Sequence, residues 1–298
     1  MARTLQTLFE GGGFFEGPRW HDGTWWVSDF YRHQVATYDA SGTESVQFEV
    51  EAQPSGLGWL PDGSLVVSSM KDHRVLRWAE GALTELADLS EHCGGHLNDL
   101  VVDQHGHAFV GNFGFDLMGG GAPASAPIVR VDPDGTVTVA AEDLRFPNGT
   151  VITPDGATLI VGETIGNRYT AFDLAADGTL SNRRVWAELG PLPDAETFEE
   201  GLGQITVAPD GCALDAEGHI WAADALGNRA VRIAPGGAIV EELPAPEGLG
   251  IYALMLGGDD GRTMLLCSAP DFFEHNRANA REAVLLTTTV DVPHAGLP

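Results

Sequence analysis

Residues 61–69, Pro-Asp-Gly-Ser-Leu-Val-Val-Ser-Ser, set an Asp-Gly turn directly in front of a short β-branched run. Asp-Gly supplies the positive φ of a tight hairpin, and the apolar run behind it is too short for a helix, so the stretch reads as a turn and the strand it launches. The same grammar recurs five times: HDGTWWVSD from His21, DQHGHAFVGN from Asp103, PDGATLIVGE from Pro154, DAEGHIWAAD from Asp215 and DDGRTMLLCS from Asp259. Behind each lies another short strand, commonly after an Asn-Arg or His-Arg step, as in HRVLRWA from His73 and NRAVRIA from Asn228. Five of these reach a second turn and a further strand, such as TESVQFEV after Gly42, whereas the sixth copy runs out near Pro293.

Six copies of a four-strand unit at a period of roughly 40 to 60 residues predict an all-β, six-bladed β-propeller with four antiparallel strands per blade. The lone β-compatible run Thr4 to Phe9 precedes the first unit, and the last unit lacks an outer strand. Pairing the two closes the ring without an exposed edge. A two-sheet sandwich is also rich in short strands but does not require one grammar repeated at a fixed period. The expectation is one propeller domain over residues 1–298, with two inserted loops, GFDLMGGGAPASAP from Gly114 and the segment Ala195 to Gln204.

Forty-three acidic and sixteen basic residues give a formal charge of -27. Such a surface repels phosphate backbones and anionic membranes, which argues against nucleic-acid and membrane partners. Three widely spaced cysteines, Cys93, Cys212 and Cys267, fit a reducing compartment better than a disulfide framework. No stretch approaches bilayer length, and the start lacks a secretory pattern, so a cytoplasmic location is expected.

Propeller blades aim their innermost strands at a central channel. Eight residues before Gly63, Gly106, Gly156, Gly218 and Gly261 stand Ser55, Asn98, Asn148, Asp210 and Ala253, and seven before Gly23 stands Glu16. Taken singly, each polar residue is an ordinary turn neighbour or a partner for channel water. Together at one register, Glu, Asn, Asn and Asp inside apolar strands carry a desolvation cost that a bound cation would relieve. Oxygen donors favour a hard ion, Ca²⁺ first, with Mg²⁺, Mn²⁺ or Zn²⁺ as alternatives. Ligation by Glu16, Asn148 and Asp210 leaves positions open for substrate, as catalysis requires. A cation there would polarise an acyl oxygen while Asp210 accepts a proton from attacking water.

These residues carry a resemblance. Phe15-Glu16-Gly17-Pro18-Arg19-Trp20, Phe146-Pro147-Asn148-Gly149 and Asp210-Gly211-Cys212-Ala213-Leu214-Asp215 resemble blade motifs of the SMP-30/gluconolactonase/luciferin-regenerating family of metal-dependent propellers. The resemblance implies a lactone-opening hydrolase with a small-molecule lactone substrate, metal ligands Glu16, Asn148 and Asp210, and Asp210 as general base. It further implies substrate contacts at Asn98 and Asp99. Sugar-lactone members carry Arg two residues before that Asn, where this chain has His96, so His96 becomes a candidate substrate contact and a less polar lactone is expected as readily as a sugar lactone. Phe198 and Leu202 in the second insertion make it a candidate lid.

Other patterns carry less. His92, Cys93 and His96 lack a fourth partner at zinc spacing, and Gly11-Gly12-Gly13 has no strand-to-helix context for a phosphate loop. His105 and His107 flank a hairpin glycine and are expected to face solvent. No Gly-x-Ser-x-Gly elbow supports serine chemistry. Two alternative functions stand beside the lactonase: a non-catalytic calcium-binding or interaction propeller, and metal-dependent hydrolysis of an acyclic ester or carbonate.

Overall fold

The computed structural model describes residues 3–195 and 197–296, without the side chain of Phe198. Six four-stranded antiparallel sheets are formed, five of them from consecutive strands. The sixth joins Gly250–Gly257, Thr263–Ala269 and Ala283–Thr289 to the N-terminal strand Gln6–Gly12. Phe9 pairs with Leu285 and Gly12 with Ala283, so the expected closure is present, with the first strand ending three residues beyond Phe9.

The innermost strands are Phe15–His21, Pro54–Trp59, Leu97–Val102, Pro147–Ile152, Pro209–Leu214 and Gly250–Gly257. Each touches the innermost strands of both neighbouring blades, which makes the arrangement a ring. These strands are almost wholly buried, whereas outer strands such as Glu44–Glu49 are half or fully exposed. The apolar packing lies between blades: Val35 and Val50 of the first meet Leu57, Leu65 and Val67 of the second, and Val101, Phe109 and Ile128 of the third meet Leu159, Val161 and Phe172 of the fourth. Trp26 stands 5.6 Å from Trp59 and 5.9 Å from Trp78, so the tryptophans serve this packing.

The Asn-Arg steps have a structural explanation. Asp29, Glu163 and Asp224 end the second strands of their blades, buried, and accept hydrogen bonds from backbone N–H groups of the approaching chain, for example Gly13 N at 2.9 Å and Ala208 N at 3.0 Å. Arg168 pairs with Glu163 at 2.7 Å and Arg229 with Asp224 at 2.9 Å. These carboxylates staple the blade tops and are unavailable for chemistry. At the channel's other end the C-terminal segment crosses two blades: His294 N donates to Gly261 O, and Ala295 N to Leu214 O.

Candidate active site

Every innermost strand carries a pairing irregularity near its start, between Glu16 and Arg19, Pro54 and Leu57, Leu97 and Leu100, Asn148 and Thr150, Pro209 and Cys212, and Ile251 and Ala253. A bulge breaks the strict alternation of a strand and turns one side chain off the sheet plane. Here the six bulges re-aim one register of side chains into the channel mouth. Gly17, Gly56, Gly149 and Gly211 follow the aimed residue in four blades, and a Cβ on Gly149 would lie 2.0 Å from the Asp210 carbonyl oxygen of the next blade. Adjacent blades approach too closely there for any side chain.

The structure brings Glu16, Asn98, Asn148 and Asp210 to the wall of one cavity, all buried. The Asn148 amide donates through Nδ2 to Asp210 Oδ1 at 2.6 Å and to Thr164 Oγ1 at 3.2 Å, while its Oδ1 accepts from Gly149 N at 2.9 Å. Glu16 Oε2 accepts from Gly17 N at 3.1 Å. Hydroxyls of the second strands brace this ring from blade to blade: Ser28 Oγ donates to Ser55 O at 2.6 Å and Ser68 Oγ to Asn98 O at 2.6 Å. Burial pushes the Glu16 carboxyl well above the usual range, with the charges of Asp210 and Asp99 adding to the effect. Burial likewise raises Asp210 to about 8, opposed by the Asn148 hydrogen bond and supported by the charge of Asp99.

Among the described residues no three His, Cys, Asp or Glu side chains converge, so any cation here depends on amide oxygen as well as carboxylate. The donor chemistry nevertheless fits a hard divalent ion: two buried carboxylates that resist ionising beside each other, and the Asn148 amide, hydrogen-bonded to one of them, on the same cavity wall.

Four expectations need placement. Ala253 does not line the mouth; the sixth hairpin is longer, so counting eight back from Gly261 falls short, on the turn side of the bulge, and Ile251 takes the register position, with Tyr252 at the bulge lining the cavity. Asp99 sits at the bulge position that is glycine in four other blades, and its Oδ1 is engaged by Arg19 at 3.1 Å and by Leu100 N at 2.9 Å. Neither Asp99 nor His96 lines the cavity among the described residues. The His96 ring rests 5.7 Å from that of Phe113, which does line it, and burial lowers its pKa so that the ring is neutral at pH 7. His105 is exposed as expected, but His107 is half-buried and bonded through Nδ1 to Asp103 at 2.8 Å.

The remaining walls come from residues that sequence reasoning passed over: Phe14, Phe113, Phe146, Tyr252 and Phe272. The Phe14-Phe15 doublet before Glu16 and Phe146 before Asn148 were the available signals, since an aromatic beside an inward-turned polar residue sits at the channel rim. The second insertion reaches the cavity through Leu202, at the end of a short helix Phe198–Leu202 capped by Thr197, whose Oγ1 accepts from Glu200 N at 3.2 Å. Glu196 and the Phe198 side chain lie outside the described residues. The first insertion contributes Leu117 and Met118.

A family model described as the SMP-30/Gluconolactonase/LRE-like region matches residues 14–270. The chain is similar to a pentonolactonase from Haloferax volcanii, 30% identical over 212 residues that span 70% of this chain and 65% of that protein. It is also similar to a 6-deoxy-6-sulfogluconolactonase from Pseudomonas putida, 29% identical over 174 residues, 58% of this chain and 53% of that protein. The matches thus span between half and two thirds of these two relatives. A solved structure of a calcium-binding protein, regucalcin, from Agrobacterium tumefaciens aligns over 99% of this chain and 96% of its own, with a TM-score of 0.77 and 23% identity, and so shares the fold.

Proposed function

The chain belongs to the SMP-30/gluconolactonase/LRE-like family, and from that premise we propose that it hydrolyses a lactone at the channel mouth, using a divalent cation held by Glu16, Asn148 and Asp210. The observation that carries the reading is the pair of buried carboxylates, Glu16 and Asp210, facing one cavity with the Asn148 amide hydrogen-bonded to Asp210. Lactone-opening relatives supply the substrate class.

When bound, a divalent cation would polarise the acyl carbon–oxygen bond. The chain's own residues do the rest. Asp210 stands at the cavity wall with one oxygen fixed by Asn148, so its carboxylate can take the proton of a water that attacks the acyl carbon and return it to the departing ring oxygen. Asn98 offers an amide from the adjacent blade to hold the substrate. Arg19 holds Asp99 beneath the ring, and the Phe113 ring separates His96 from the cavity, so these two act behind the contact surface as positioning groups. The aromatic walls exclude bulk water and keep the attacking water confined to the floor.

The test is direct. Chelated protein is titrated calorimetrically with Ca²⁺, Mn²⁺, Mg²⁺ and Zn²⁺, and lactone hydrolysis is followed by pH-stat with each ion restored. Hydrolysis restored by one ion and lost at least 10²-fold in Asp210→Ala supports the reading. Full turnover by Asp210→Ala with cation still bound would sink it, and tight binding without hydrolysis would leave a calcium-binding propeller.

A further inference from the structure

We infer that the lactone taken by this site carries an alkyl or aryl substituent in place of ring hydroxyls. The inference rests on the lactone-hydrolase reading and narrows its substrate.

Apart from the hydroxyls of Thr164 and Tyr252, the cavity is polar only at its floor. Above Glu16, Asn98, Asn148 and Asp210 the walls are apolar and come from five of the six blades together with the two insertions. Two aromatic groups face each other across the mouth. On one side the rings of Phe113 and Phe146 lie 4.6 Å apart; on the other Phe14 lies 4.9 Å from Tyr252, which lies 6.1 Å from Phe272. The apolar surface continues to the rim through Leu202 and through Leu226, which is 42% exposed. The empty space, counted out to the open mouth, is about 660 Å³.

A polyhydroxylated ring fits these walls poorly. Each hydroxyl taken from water needs a partner, and a buried hydroxyl without one loses binding. Few polar groups remain to serve one: the Asn148 amide serves Asp210 and Thr164, and the Thr164 hydroxyl donates to Pro209 O at 2.7 Å, which leaves, among the described residues of the lining, the Asn98 amide nitrogen and the Tyr252 hydroxyl beside the two carboxylates. Among the described residues no Lys, Arg or His lines the cavity, so an anionic substituent finds no counter-charge either. An alkyl chain or aromatic ring meets no such obstacle. It gains the burial that Phe113, Phe146 and Tyr252 offer, and the acyl group stays over the polar floor.

The experiment compares γ-butyrolactones bearing hydrogen, ethyl, butyl or phenyl at the γ-carbon with a hydroxylated pentonolactone, using cation-loaded protein and kcat/KM. Each buried methylene should raise kcat/KM about four-fold, the rate equivalent of ~0.8 kcal/mol. The pentonolactone should fall at least ten-fold below the butyl compound. In Leu202→Ser/Leu226→Ser the ratio of butyl to unsubstituted kcat/KM should drop about five-fold. Cyclopentanones carrying the same substituents cannot hydrolyse, and their binding to cation-free protein, measured by calorimetry, should show the same order. A flat alkyl series with the pentonolactone turned over best would overturn the inference and leave the lactonase reading standing. If no lactone is hydrolysed the lactonase reading fails, and cyclopentanone binding that ignores chain length defeats the apolar pocket separately.

Discussion

Glu16 is the residue whose replacement best separates folding from function. Its carboxyl is buried beside Asp210 and Asp99, and burial raises its pKa in the folded chain above the unfolded value. The sign follows: the folded state binds more protons than the unfolded one between the ordinary carboxylate range and the raised value, so the stability this group provides is present at low pH and lost as pH rises through that window. Asp210, raised to about 8, acts in the same direction. Cation-free protein should therefore melt lower at pH 8 than at pH 5, and the slope should shrink in Glu16→Gln. At pH 8 Glu16→Gln should stabilise the cation-free protein by ~1–3 kcal/mol, the scale of removing an uncompensated buried charge. It should also abolish the rise in Tm that Ca²⁺ gives the parent, and a mutant that kept this rise would remove Glu16 from the ligand set. The four channel-facing polar residues were legible because each keeps a nearly constant distance from its turn glycine. Ala253 broke the count where a hairpin lengthened, and the directions of Asp99 and His96, which came from the resemblance alone, were not legible because a motif does not report which way a side chain beside a bulge turns.

At the scale of single elements, the bulged innermost strands decide how closely the blades meet. Gly149 needs no positive φ, yet its missing Cβ leaves room for the Asp210 carbonyl oxygen, whereas Gly63 has a φ of +84° at a turn tip with open space around it. Gly149→Ala should cost ~2–4 kcal/mol in urea denaturation, as overpacking against backbone does, and should weaken cation binding by shifting Asp210. Gly63→Ala should cost only ~1 kcal/mol through backbone conformation and leave cation affinity unchanged. Equal effects at the two sites would mean that the blade contact does not govern the ring. The strands themselves were readable from turn chemistry and β-branched runs. The bulges were not, because they interrupt the alternation on which strand reading depends, although the glycine after Glu16, Ser55, Asn148 and Asp210 was their trace. The helix Phe198–Leu202 has five residues, too few for a periodic pattern.

For the molecule as a whole, closure and charge are the levers. Removing residues 1–12 deletes the strand that covers Ala283–Thr289 and leaves an unpaired edge. The truncated protein should melt ~10 °C or more below the parent and self-associate in sedimentation experiments. A monomer of unchanged Tm would show that closure contributes little. The formal charge of -27 opposes compaction, so raising salt from 20 to about 200 mM should raise Tm by a few degrees as repulsion is screened. The six-fold repeat was the most legible feature of the chain because a period is counted over many residues and survives local exceptions.

Closure by the two ends of the chain also sets a schedule. Gln6–Gly12 leaves the ribosome well before its partner Ala283–Thr289. At ~5–20 residues per second the early strand waits roughly 15 to 55 s for somewhere to pair. Over most of that interval Glu16 has been made and Asp210 has not, so the oxygen ring can assemble only late in synthesis.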